Sequence, residues 1–111
     1  MNRKYRSLIA QLRLGILPLE IETGRWRGLE IDRRTCKLCN SNSIEDEAHF
    51  LFDCTFYLNE ITQFYSNIGV QDFHLLSAPT KFNILMEQSN ILITVKYVCK
   101  IYDKRKMKLF S

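Results

Sequence analysis

Hydrophobic residues recur at helical spacing near the start of the chain. The positions concerned share the i, i+3, i+4, i+7 pattern of one helix face: Tyr5, Leu8, Ile9 and Leu12. Gly15 follows at once, and glycine is a common residue just past a helix end. The pattern therefore predicts a helix over residues 3–14.

The second half of the chain repeats this spacing three times. One apolar face comprises Tyr57, Ile61, Phe64, Tyr65 and Ile68, and it ends at Gly69. Pro79 suits the start of a further helix. Ser89 is a candidate cap for the last helix, whose stripe comprises Leu92, Val95, Cys99 and Tyr102. Its β-branched residues also allow a strand, but the length of the pattern favours a helix.

Residues 15–35 lack a helical pattern. Pro18 and the pair Thr23-Gly24 interrupt it. Leu17, Leu19 and Ile21 alternate with polar or breaker residues, which weakly indicates extended structure. The fold class predicted is mainly α: a small helical domain organised around a zinc knuckle, with a short β-hairpin as an option. Its parts would be a helix over 1–14, a metal segment over 30–57 and helices over 57–111.

The segment between residues 36 and 54 carries the strongest chemical signal. It reads Cys36-x-x-Cys39, then nine residues, His49, four residues and Cys54. Structural zinc takes four nitrogen or sulfur ligands, and two cysteines two positions apart can both reach one ion from a tight turn. Zn²⁺ is therefore the predicted cofactor. Four protein ligands leave no open position, which indicates a structural rather than a catalytic ion.

Two alternatives to this ligand set remain. A disulfide scheme must recruit the distant Cys99 or leave a thiol free, because three clustered cysteines are an odd number. His74 is a rival fourth ligand with a longer loop. On the favoured scheme His49 and Cys54 cannot share a face of a continuous α-helix. We therefore expect a helix to begin near His49 or to break before Cys54, with Phe50, Leu51 and Phe52 packed beside the metal.

Polar residues before His49 resemble a helix start. Ser43-Ile-Glu-Asp46 is similar to a capping box, and the acidic run Glu45–Glu47 suits a helix N-terminus. No Gly-rich phosphate loop or catalytic triad accompanies these acids, so the chain is not expected to be an enzyme. Cys99 lies on an apolar stripe and is expected to be a small core residue.

Charge is distributed unevenly along these 111 residues, whose formal net charge is +4. Residues 1–37 hold nine basic and four acidic side chains, whereas residues 38–60 hold five acids and no lysine or arginine. Residues 96–111 hold six basic side chains against one acid. Basic flanks suit an anionic partner. The absence of a signal-like or membrane-spanning apolar run predicts no membrane association and an intracellular location, with the nucleus as one option.

Trp26 lies between two arginines, Arg25 and Arg27. A tryptophan in this setting can stack on an unpaired base while the guanidinium groups meet phosphates. Burial of Trp26 against the helices is nonetheless the favoured expectation, with the arginine stems lying over it. On the last helix Lys96, Lys100 and Lys104 fall on one face, where a solvated surface is the ordinary explanation.

Several of these motifs together resemble a known family. The resemblance runs from about Arg13 to Tyr57 and rests on three segments: Arg13–Trp26 with its Ile-Glu-Thr-Gly-Arg run, Cys36-x-x-Cys39, and Asp46-Glu-x-His49-Phe followed by Cys54. They are similar to the zinc-binding region that follows the reverse transcriptase of non-LTR (LINE-type, jockey-like) retrotransposons. This likeness implies that Cys36, Cys39, His49 and Cys54 are the zinc ligands. It also implies a nucleic-acid context, with template RNA or target DNA as partner.

The chain departs from that family at two positions and in one larger respect. Lys37 and Thr55 stand where the family commonly has proline, and neither change removes a ligand. Polymerase and endonuclease motifs are missing, so reverse transcription is not carried over and the chain resembles a detached tail of such a protein.

Three functional hypotheses follow. The first is a zinc-stabilised nucleic-acid-binding module whose contacts would be Arg25, Trp26, Arg27, Lys100 and Lys104. The second is a protein-interaction module that uses the acidic run Glu45–Glu47 or an exposed helical stripe. The third is an element fragment with no selected role.

Overall fold

Five α-helices make up most of the molecule. The computed structural model describes residues 2–110, and in this range the helices are α1 (Arg3–Leu14), α2 (Glu20–Trp26), α3 (Leu58–Ile68), α4 (Ala78–Leu85) and α5 (Ile91–Leu109). Short 3-10 turns cover Ile31–Arg33, Thr55–Tyr57 and Phe73–Leu75, and a π-helical turn covers His49–Asp53. No strand occurs within residues 2–110; a single antiparallel bridge joins Thr35 to Ile44. The mainly helical class is thus confirmed.

The core is assembled around α5, which packs against α1 and α3. Val95, Val98 and Ile101 of α5 are fully buried. Tyr97 stacks on Phe64 of α3, with ring centroids 4.1 Å apart and planes 8° from parallel. The predicted helical state of this segment is confirmed. Its buried face differs from the expected stripe, however, since Leu92 is 49% exposed.

Three of the four helix ends predicted outside the metal segment are confirmed: those at Gly15, Gly69 and Pro79. Gly15 and Gly69 both adopt the left-handed conformation, with φ of 68°, after α1 and α3. This conformation carries a steric cost for residues with a Cβ, which explains the glycines. Ser77 caps α4 through the amide of Thr80, and Pro79 lies in its first turn. The predicted cap at Ser89 is wrong: Asn90 precedes α5, and its side-chain amide donates to the carbonyl of Ile84 at 3.0 Å.

The expectation of extended structure before residue 30 is wrong, because residues 20–26 form α2. The face of α2 turned inward carries Glu20, Glu22 and Gly24, so no apolar periodicity marks it. Both carboxylates lie against arginines of the same segment: Glu22 binds Arg25, and Glu20 binds Arg27 at 2.6 Å. Ion pairs between nearby residues thus stabilise this helix, in place of an apolar face.

Trp26 is 64% exposed, so its expected burial is also wrong. It is the last residue of α2, where the inward face is already occupied by the two glutamates and Gly24. An exposed indole is uncommon, because burial of its large apolar area would be favourable. The position therefore presents an aromatic surface to solvent between Arg25 and Arg27.

Lys81 of α4 connects that helix to the metal segment through aromatic rings. Its ammonium lies 5.2 Å from the ring centroid of Phe52, 5.9 Å from that of Tyr65 and 6.0 Å from that of Phe73. Lys81 is only 8% exposed. Such a cation is attracted by the electron-rich faces of the rings. The contact with Phe52 therefore holds α4 against the π-helical turn, to which Phe52 belongs.

Candidate metal centre

The four predicted ligands lie together in the folded chain. One ligand atom from each of Cys36, Cys39, His49 and Cys54 lies within 4.8 Å of all the others. The Sγ atoms of Cys36 and Cys54 are 3.8 Å apart. The Sγ atom of Cys39 is 3.4 Å from Nε2 of His49. Three thiols and an imidazole converging in this way form a cluster that could hold a metal ion.

A narrow loop presents the first two cysteines. The amide of Cys36 donates to the carbonyl of Ser43 at 2.8 Å, and the amide of Glu45 donates to the carbonyl of Arg34 at 3.0 Å. These bonds flank the Thr35–Ile44 bridge and close the loop at its base. This single bridge is all that residues 2–110 show of the optional β-hairpin. It aims the Cys-x-x-Cys turn at the opposite pair of ligands.

A π-helical turn presents His49 and Cys54. The amide of Cys54 donates to the carbonyl of His49 at 2.8 Å, five residues back, and the backbone then becomes extended at Cys54. The wider turn brings two side chains five positions apart to one site, which an ordinary α-helix would not do. The expectation that a helix begins near His49 or breaks before Cys54 is confirmed.

The helical start before this turn lies three residues later than expected. Oδ1 of Asp46 accepts from the amide of His49 at 2.9 Å, and its carbonyl accepts from the amide of Phe50 at 3.0 Å. Ser43 instead bonds to Ser41 and lies in the loop. The predicted capping box at Ser43 is therefore wrong, and Asp46 performs that role. The physical reason is that Ile44 is held in the antiparallel bridge with Thr35, so a helix cannot include it.

The cluster faces the core on one side. Phe50 and Leu51 are fully buried and Phe52 is 8% exposed, as expected for apolar neighbours of the metal. The hydroxyl of Tyr97 on α5 donates to the carbonyl of Leu51 at 2.5 Å. Phe50 also meets Tyr57 edge-on, with ring centroids 5.5 Å apart. The ligands of the π-helical turn are thus held by packing against α5 and the start of α3.

Polar contacts surround the thiols of the cluster and affect their pKa values in opposite directions. The hydrogen bond between Cys54 and Cys36 lowers the pKa of Cys36 to about 4, which favours a thiolate there. The same bond, together with burial, raises the pKa of Cys54. The amide of Leu38 lies 3.4 Å from Sγ of Cys36, and the hydroxyl of Ser41 lies 3.1 Å from Sγ of Cys39. A thiolate is the form of cysteine that binds metals.

The other histidine and the fourth cysteine lie outside the cluster. His74 is exposed in the turn Phe73–Leu75 and contributes no atom to it. Cys99 packs partly buried against the core, as expected, and lies 3.7 Å from Oδ2 of Asp103. All four cysteines are free thiols, so no disulfide links any pair. The structure therefore groups His49, and not His74, with the three clustered cysteines.

A buried ion pair lies near the cluster, and no sequence motif indicates it. Arg105 of α5 donates through Nε and an Nη atom to the two carboxylate oxygens of Glu45, at 2.9 and 2.8 Å. Glu45 is 1% and Arg105 5% exposed. Glu45 also accepts from the amide of Glu20 at 2.7 Å. Sixty positions separate the partners, so no local pattern could indicate the pair.

The residues predicted to meet nucleic acid fall into two groups. Trp26 is exposed, and the side chains of Arg25 and Arg27 are 61% and 48% exposed. Lys100 is exposed on α5. Lys104, by contrast, is engaged inside the fold: its ammonium lies 2.7 Å from Glu60 and 3.0 Å from the carbonyl of Phe56. Trp26 and Lys100 are therefore exposed to solvent, whereas Arg25 and Arg27 are exposed but also paired with Glu22 and Glu20.

Comparisons with known proteins add no assignment. No protein-family model matches the chain. No curated protein and no solved structure is similar to it at a significant level. Among residues 2–110, no helix has the length and apolar character needed to cross a membrane. Function must therefore be inferred from the cysteine–histidine cluster and from the surfaces around it.

Proposed function

We propose that this chain is a domain stabilised by structural zinc, and the convergence of four ligand atoms carries this proposal. In a tetrahedral site with Zn–S bonds of about 2.3 Å, two sulfurs lie about 3.8 Å apart. The Sγ atoms of Cys36 and Cys54 have that separation, at 3.8 Å. A sulfur and a nitrogen ligand would be about 3.6 Å apart. The Cys39–His49 distance of 3.4 Å is close to this value.

The chemistry of the donor set favours zinc and a structural role. Three thiolates and one imidazole are soft ligands, which suit zinc better than magnesium or calcium. Four protein ligands complete the tetrahedron without an open position for a substrate. The ion would cross-link the Cys36–Cys39 turn to the π-helical turn. Because such a site does not exist in the unfolded chain, the metal would add directly to folding stability.

Metal analysis tests this proposal. We expect one zinc per chain, and we expect a strong chelator to reduce the helical circular dichroism and melting temperature sharply. His49→Ala and Cys54→Ser should lose zinc and stability together. Two matched controls lie outside the cluster: His74→Ala and Cys99→Ser should retain the metal. The zinc proposal is wrong if the wild-type protein holds no metal, or if chelation leaves its melting curve unchanged.

We further propose that the domain binds nucleic acid without catalysis. The observation that favours this function is the exposed Trp26 between two half-exposed arginines. An indole can stack on an unpaired base, and guanidinium groups can bind the neighbouring phosphates. The net charge of +4 and the retrotransposon-like motifs support the same class of partner. Lys100 adds a further exposed cation on α5.

A salt titration with labelled single-stranded RNA and duplex DNA tests nucleic-acid binding. We expect affinity to fall steeply as salt rises, because each phosphate contact releases counterions. Trp26→Ala should weaken binding to single strands by about 1–3 kcal/mol. Leu75→Ala is a matched control, since Leu75 is 72% exposed and carries no stacking surface. Absence of binding at low salt, or binding that is independent of salt, would count against this function.

A protein-interaction module is the second candidate, and exposed apolar side chains near the end of α5 favour it. Met107 is 74% and Phe110 80% exposed. Large exposed apolar side chains often mark a contact surface when they lie close together. This candidate predicts association that persists at high salt and is lost in Met107→Ser. The nucleic-acid proposal predicts the opposite salt response and no effect of that substitution.

A further inference from the structure

A cleft between α2, the Cys36–Cys39 turn and the last two turns of α5 gathers several basic side chains. Its volume is about 420 Å³, and three of its cations are half exposed: Arg27, Lys37 and Lys106. The size falls within the range of sites that hold a small ligand. The cleft is separate from the metal cluster, although Lys37 lies between two of its ligands.

The cations of the cleft exceed the acids available to them. Glu20 binds Arg27 through Oε2 at 2.6 Å and Lys37 through Oε1 at 3.6 Å, so one carboxylate serves two cations. Asp103 likewise lies 3.5 Å from Lys106 and 3.2 Å from Lys4. Each arrangement leaves one positive charge without an equal counter-charge. An anion placed between Lys37 and Lys106 would therefore be bound by charge and by hydrogen bonds.

The wall beside these cations is aromatic. Lys106 lies over the ring of Tyr102, with its ammonium 5.1 Å from the centroid, so that ring is already covered. Phe110 also lines the cleft and is 80% exposed. A flat apolar ring next to a phosphate-sized anion site suits a nucleobase, because base stacking on aromatic side chains tolerates any base. An acidic peptide would use the cations but not the ring.

We infer that this cleft binds one nucleotide unit of a single-stranded nucleic acid, with its phosphate on Arg27, Lys37 and Lys106 and its base on Phe110. The inference rests on the proposed nucleic-acid function and assigns it a surface. A base-paired duplex does not fit, since its bases are stacked on one another and the cleft has room for one nucleotide. Arg27 belongs both to this cleft and to the Arg25–Arg27 segment, so one strand can run from Trp26 into the cleft.

Fluorescence anisotropy with a labelled single-stranded oligonucleotide tests the cleft, using zinc-loaded protein at several salt concentrations. Lys37→Ala and Lys106→Ala should each weaken binding roughly fivefold to tenfold at 50 mM salt. Each should also reduce the slope of log affinity against log salt by about 0.7, the value for one phosphate contact on a single strand. Phe110→Ala should weaken binding roughly fivefold to hundredfold and leave that slope unchanged.

Matched controls lie elsewhere on the surface. Lys96 is an exposed lysine on the same helix, about 15 Å from Lys106 along the helix axis. Lys96→Ala is the control for the lysine variants and should leave affinity and slope within twofold of the wild-type values. Leu75→Ala is the control for Phe110→Ala and should do the same. The melting temperature and zinc content of each variant verify that the fold is intact.

The outcomes separate the cleft from the wider function. If binding depends on salt but Lys96→Ala weakens it as much as Lys37→Ala does, nucleic-acid binding itself still stands and the cleft proposal is wrong. An intact affinity in Phe110→Ala, or equal binding of a glutamate-rich peptide, also overturns it. No binding by the wild-type protein to any oligonucleotide overturns the proposed function itself. The cleft proposal is supported if Lys37→Ala and Lys106→Ala each reduce the slope of log affinity against log salt. Phe110→Ala must weaken binding and leave that slope unchanged.

Discussion

Glu45 and Arg105 show how a single buried contact can connect distant parts of a small chain. Glu45 follows the bridge at the base of the metal loop, and Arg105 lies on α5. The two planar groups face one another through two hydrogen bonds, at 2.9 and 2.8 Å. Burial alone lowers the pKa of Arg105, but the bond and charge of Glu45 outweigh this and raise it. The guanidinium therefore stays charged and fixes α5 against the metal segment.

Glu45→Gln should destabilise the protein by about 3–5 kcal/mol, because it leaves a buried guanidinium without its counter-charge. The amide retains a carbonyl oxygen for the amide of Glu20, so the loss reports mainly on charge. Urea unfolding at saturating zinc measures the change. Glu30→Gln is the control, since Glu30 is exposed and its substitution should cost less than about 0.5 kcal/mol. Equal stability of both variants would rule out a structural role for the pair.

At the scale of one element, α2 depends on a contact between Gly24 and Arg34. A Cβ added to Gly24 would lie 2.5 Å from Cγ of Arg34, closer than any real contact. Arg34 cannot easily withdraw, because its guanidinium donates to the carbonyl of Leu29 at 2.9 and 3.0 Å and to that of Ile21 at 3.1 Å. Arg34 lies two residues before Cys36, so its bond to Ile21 joins α2 to the start of the metal loop.

Whether Gly24→Ala raises or lowers the free energy of unfolding should therefore depend on Arg34. In the wild-type background we expect destabilisation by about 1–3 kcal/mol from overpacking. In an Arg34→Ala background the contacts with Cγ and Cδ are gone and only the Cβ of residue 34 stays close, at 3.3 Å. Alanine should then stabilise the helix by up to about 1 kcal/mol relative to glycine. Thermal or urea unfolding of the four proteins gives the coupling directly. If both backgrounds respond alike, the close approach is not what requires glycine here.

For the molecule as a whole, local patterns were enough to predict α1, α3, α5 and the residues of the metal cluster. Each depends on spacing within about twenty residues. The helix α2 escaped prediction because its inward residues, Glu20 and Glu22, are charged and acquire partners only after folding. The burial of Arg105 could not be predicted either, because the sequence cannot show that a carboxylate sixty positions away is its partner. The predicted burial of Trp26 is wrong for a related reason: the buried face of α2 is polar and does not include the indole.

An ion pair between α5 and α3 should make the stability of the whole fold sensitive to acid. Lys104 of α5 binds Glu60 of α3 at 2.7 Å. Burial raises the pKa of Glu60, but the hydrogen bond and charge of Lys104 lower it more, so the net pKa lies below its ordinary value. A depressed carboxyl pKa means that ionised Glu60 stabilises the fold. That contribution is present above the unfolded pKa of about 4.3 and is lost as the pH falls through the lower, folded pKa.

Glu60→Gln should therefore lower the free energy of unfolding by about 1 kcal/mol at pH 7, a modest value because the Lys104 side chain remains 39% exposed and water screens the pair. The difference from wild type should shrink as the pH falls below about 4. Acid also protonates the metal thiolates, but this affects both proteins equally and cancels in the difference. Lys104→Met removes the other partner and should show the same dependence on pH, added to a pH-independent loss of its bond to the carbonyl of Phe56. A Glu60→Gln difference that stays constant from pH 7 to pH 3 would show that its cost comes from packing and not from the ion pair.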